Sequence, residues 1–122
     1  RYSPEFVMSL NGEWDFWWSE SDASFREEFL SAGYNSSDWN KIQVPANWEL
    51  NGYGTAIYTN HGYEFKPYKP QPPHLPEKNP VGVYRKVINI PENWDGREVY
   101  LNIGGAKSGC YLYVNGEFAG YN

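Results

Sequence analysis

The sequence predicts an all-β domain, a jelly-roll-like β-sandwich with one short helix. Three observations predict it. Apolar residues alternate in short runs instead of recurring at helical spacing. Glycine and proline punctuate the chain throughout, with 12 Gly and 9 Pro among 122 residues, so no long helix passes unbroken. Asn115-Gly116 lies between alternating segments, the strongest short-range hairpin signal. About seven strands at this spacing suit two packed sheets, and the length suits one core and one domain over 1–122. Bulky rings supply that core: aromatics are 19% of the chain, with 6 Trp and 11 Tyr, while a mean hydropathy of -0.74 leaves polar loops around them.

Taken in order, Asn11-Gly12 is a turn signal, after which Trp14, Phe16 and Trp18 fall on one face of a strand. Ser24 and Glu27 have capping-box spacing, so a helix of about two turns is expected to run toward Leu30 and end by Gly33. Ser36 to Trp39 reads as a turn, and 41–44 as a short strand that Pro45 stops. Positions 81–90 alternate, with Tyr84, Lys86 and Ile88 opposite Val83, Arg85 and Val87, until Pro91. A turn at Trp94 to Arg97 precedes an expected strand at 98–103 with Val99, Leu101 and Ile103 on one face. Gly104-Gly105 breaks it. A strand at 109–114, the Asn115-Gly116 turn and a return strand from Phe118 to Tyr121 close the chain.

The stretch 44–65 carries the chemistry. Pro45, Gly52, Gly54 and Gly62 force the backbone to turn repeatedly. Asn47, Glu49, Asn51, Thr59, Asn60 and His61 stand between Trp48, Tyr53, Tyr58 and Tyr63, hydrogen-bonding groups interleaved with rings able to stack on a sugar's C–H face. The same residues also suit a core with turns, because Asn and Gly are what turns demand. From 66 to 80, six prolines remove ladder donors, and this segment reads as a long loop excursion of polyproline character.

Val-Pro-Ala-Asn-Trp-Glu at 44–49, then Gly-Tyr-Gly-Thr-Ala-Ile-Tyr-Thr-Asn at 52–60, resembles the amino-terminal sugar-binding domain of glycoside hydrolase family 2 β-galactosidases. Leu-Asn-Gly-Glu-Trp-Asp-Phe at 10–16 and Asn-Pro-Val-Gly-Val-Tyr-Arg at 79–85 resemble it independently. The resemblance implies a galactose-binding-like, jelly-roll domain over 1–122 that is incomplete at its C-terminal end, about two-thirds of such a domain and a tenth of a whole enzyme. Uncovered apolar faces at Trp14, Phe16, Val99 and Leu101 are then expected. It also implies a parent enzyme, a retaining β-galactosidase acting on terminal non-reducing β-D-galactosyl residues, whose two catalytic carboxylates lie on a TIM barrel outside this chain. Asn60, in Tyr58-Thr59-Asn60, matches the position that contacts the galactosyl group, and His61 beside it is expected to line the same pocket. Asn47 and Trp48 are expected to fix the base of the loop. No catalytic residue is assigned to the chain itself. The resemblance implies magnesium and sodium ions for the parent, with no cofactor in this segment, and it implies β-galactosides, the barrel and other domains, and further copies of the enzyme as partners.

The remaining residues exclude several classes. A net charge of -5 argues against nucleic acid. No apolar run approaches the roughly 20 residues of a membrane-spanning helix. Cys110 stands alone, which rules out an internal disulfide or a cysteine zinc site. His61 and His74 lack the spacing of a metal motif. The compartment stays open, since the chain begins at Arg1. The alternative to an enzyme segment is a free-standing carbohydrate-binding module, and a purely structural interaction domain is a third.

Overall fold

The structure, a computed structural model, describes residues 4–56, 78–107 and 109–122. These residues form antiparallel strands and 3-10 turns: β1 (Gly12–Ser19), β2 (Asn40–Val44), β3 (Val81–Arg85), β4 (Tyr111–Val114) and β5 (Glu117–Tyr121). The all-β class expected from alternation is what the described residues adopt. Among the described residues no helix is long and apolar enough to cross a membrane.

The contacts group into two compact units, Leu10–Arg26 with Ser36–Lys86, and Arg1–Ser9 with Glu27–Asn35 and Val87–Asn122. In the first, β1 is the central strand of a sheet ordered β2-β1-β3. Its register pairs Trp14 with Ile42 and Phe16 with Asn40 on one side. On the other side it pairs Phe16 with Tyr84 and Trp18 with Gly82. Because side chains alternate across a strand, Trp14, Phe16, Trp18, Ile42, Gly82 and Tyr84 share one face, and this is the core face. Phe16 is 0% exposed and Ile42 2%. The rings of Trp14 and Trp18 are half-buried. The expectation that Phe16 lies uncovered is therefore corrected, because the turn after β2 supplies its lid.

The opposite face carries charge. Asp15 is bracketed by Lys41 across on β2 and Arg85 across on β3. Lys41 Nζ donates to Asp15 Oδ1, and Ser36 Oγ donates to Oδ2 at 2.5 Å. The Lys41 hydrogen bond, seconded by Ser36, holds the Asp15 carboxyl below its ordinary value. The same pairing raises the Lys41 ammonium.

In the second unit, β4 and β5 form a hairpin with a bulge at Leu112/Tyr113. Asn115 (φ 51) and Gly116 (φ 86) both occupy the left-handed region, as a two-residue hairpin turn requires. Cys110 and Asn122 exchange backbone hydrogen bonds of 2.8 and 2.9 Å and extend the pairing. Phe29, 5% exposed, packs against Tyr34 with ring centroids 5.2 Å apart. Trp94 Nε1 donates to the Glu5 carbonyl at 3.3 Å, and the Arg97 guanidinium lies 3.9 Å from the Phe6 ring centroid.

Three expectations are corrected. The helix from Ser24 is replaced by two 3-10 turns, Asp22–Ser24 and Glu27–Leu30. Ser21 takes the capping role, its Oγ accepting from the Ala23 N–H at 3.3 Å, and Phe25 is extended (φ -67, ψ 141), which separates the turns. So short a segment, burying only Phe29, lacks the packing that stabilises an α-helix. The strand expected at 81–90 ends at Arg85. Beyond it, Lys86 folds across β1, donating to the Glu13 carbonyl at 2.9 Å with its ammonium 5.6 Å from the Trp14 ring. Residues 98–103 alternate but join no ladder among the described residues, and Val99, Leu101 and Ile103 are about half exposed.

Candidate functional site

The site that the sequence points to begins where β2 ends. The Val44–Pro45 peptide bond is cis, and the chain turns off the sheet. Asn47 is the N-cap of a 3-10 turn, Trp48–Asn51; its carbonyl accepts from the Leu50 N–H at 3.2 Å and from Asn51 Nδ2 at 2.9 Å. The Asn51 side chain thus satisfies a backbone carbonyl at the base of the turn, while Asn47 makes no side-chain cap hydrogen bond. Gly52 closes it at φ 88, a conformation that disfavours any β-carbon. The Trp48 carbonyl accepts from Gly52 and from Tyr53, the latter at 3.1 Å.

This turn sits on the core face of the three-stranded sheet. Phe16 is its hub, with ring centroids 4.8 Å from Tyr53, 4.7 Å from Tyr84 and 6.2 Å from Trp48. Tyr53 also lies 6.1 Å from Trp18. Trp48 rests on Gly82: a β-carbon there would come 2.7 Å from its Cε3, closer still to Cζ3, and 3.0 Å from Phe16 Cε2. Gly54 lies beside Trp18, where an added β-carbon would touch Cζ2 at 3.4 Å. The Trp18 indole N–H is buried without an acceptor among the described residues. Burial, with the Glu49 carboxylate second, pushes the Tyr84 phenol above its ordinary value. The arrangement is a rigid aromatic seat, and its chemistry is that of holding a loop.

The residues expected to meet sugar, Asn60 and His61, lie outside the described residues, as does the 66–77 part of the proline-rich excursion. The structure places Asn47 and Trp48 at the loop base. It adds Gly82, Tyr84 and Trp18, which sequence reasoning placed in strands without joining them to this turn. Gly82 had a signal: a glycine inside an alternating strand marks close approach of another group. Among the described residues no group of three or more His, Cys, Asp or Glu side chains is placed to hold a metal ion.

The model of the family described as glycosyl hydrolases family 2, sugar binding domain, matches residues 7–122. The chain belongs to that family. The sugar-binding domain is 35% identical to a β-galactosidase of Priestia megaterium, over 100% of this chain and 12% of that protein. It is 36% identical to a β-galactosidase of Psychromonas ingrahamii (97% and 11%) and 38% identical to one of Leuconostoc mesenteroides (93% and 11%). The chain thus spans about a tenth of the length of the curated relatives it matches.

Proposed function

We propose that this sugar-binding domain is the amino-terminal, non-catalytic segment of a β-galactosidase that hydrolyses terminal non-reducing β-D-galactosyl residues with retention. The observation that carries the reading is identity of 35% to a β-galactosidase along the whole chain. In the sequence, Asn60 and His61 follow the aromatic seat, six and seven positions after Gly54. Asn60 hydrogen-bonds the galactosyl unit and His61 lines the pocket. The two carboxylates that such hydrolysis needs, about 5 Å apart for retention, belong to a barrel outside this chain. Any magnesium or sodium of the enzyme is held by residues beyond those described, and the enzyme works as a homo-oligomer.

The test uses the full-length protein and a nitrophenyl β-D-galactoside. Wild type hydrolyses it. Asn60→Ala lowers kcat/KM by about 2- to 13-fold, the equivalent of one hydrogen bond of about 0.5 to 1.5 kcal/mol. The 122-residue chain alone gives no hydrolysis above a buffer blank. Unchanged constants in the Asn60 variant remove Asn60 from the site, and an inactive full-length protein rejects the reading altogether.

A further inference from the structure

We draw no further inference here: the strongest candidate, the ring cluster of Trp18 and Tyr53 beside Gly54 with the buried, unpartnered Trp18 indole N–H, belongs to the aromatic seat already described, and nothing in the structure shows what accepts from that N–H.

Discussion

The Tyr53 ring meets the Phe16 ring edge-on, with centroids 4.8 Å apart and planes at 80°. One residue comes from the middle of β1 and the other from the turn after β2, so the pair fastens a loop to a sheet. Edge-on contact directs the positive rim of one ring at the negative face of the other, worth about 0.5 to 1.5 kcal/mol beyond the area buried.

Phe16→Ala therefore destabilises the chain by about 3 to 5 kcal/mol, the usual cost of emptying a fully buried phenylalanine site. Denaturant unfolding measures it. A double-mutant cycle of Phe16→Leu and Tyr53→Leu yields a coupling of about 0.5 to 1.5 kcal/mol. A coupling near zero means that the two rings touch without depending on each other.

Asp15 gives the fold a pH dependence of known sign. Its carboxyl is held below the ordinary value chiefly by the Lys41 hydrogen bond and then by Ser36. A group with a depressed folded pKa stabilises above its unfolded pKa, and that stability is lost as pH falls through the folded value. The contribution is complete at neutral pH and fades through and below the ordinary carboxylate range. Asp15→Asn melts lower than wild type at pH 7, and the gap closes toward pH 2. A gap that persists undiminished at pH 2 assigns the effect to packing instead of charge.

β1 and β2 were legible because period-2 alternation states which face is buried, and the Trp14, Phe16, Trp18 face is the one that packs. The hairpin was legible because Asn115-Gly116 encodes its geometry within two residues. Residues 98–103 alternate just as well yet form no strand among the described residues. Alternation reports a surface suited to a ladder, whereas the ladder itself depends on a partner remote in sequence. The capping-box reading of Ser24 and Glu27 failed for a local reason, since Ser24 ends one 3-10 turn and the extended Phe25 intervenes before the next begins at Glu27. The seat under Trp48 was half legible: Gly82 announces a close approach without naming what approaches. The assignment of Asn60 and His61 rests on a motif alone, because no periodicity distinguishes a sugar ligand from a turn residue, and both lie outside the described residues.

The hairpin turn supplies a sharper test. Gly116 stands at φ 86, and a β-carbon built on it would lie 3.2 Å from the Ala32 backbone nitrogen. Gly116→Ala combines left-handed strain of about 1 to 2 kcal/mol with that tight backbone contact. It lowers stability by at least that amount. Asn115→Gly, at φ 51 in the same turn, removes no required side chain geometry and changes stability by less than about 1 kcal/mol. Equal effects at the two positions contradict the assigned turn geometry.

The second unit presents an apolar surface that argues for association of the 122-residue chain. Tyr100 is 82% exposed, Tyr111 67%, Tyr121 64%, Phe118 59% and Val99 52%. Ile103, Leu112 and Tyr121 line an apolar recess beside Cys110. β4 and β5 pair only with each other among the described residues, so each offers an outer edge of backbone donors and acceptors. A two-stranded hairpin is marginal in water and gains by adding strands or covering a face. Burying three or four such side chains is worth about 5 to 12 kcal/mol. Association itself costs about 4 to 15 kcal/mol, so the balance favours weak self-pairing over a tight dimer. Light scattering then shows a mass that climbs with concentration toward the millimolar range, where an association worth about 4 kcal/mol is half-populated. Val99→Lys with Leu101→Lys lowers it by placing like charges on the face that would be covered. A mass fixed at one chain up to the millimolar range, with no response to the two lysines, shows that these rings stay in water unpaired.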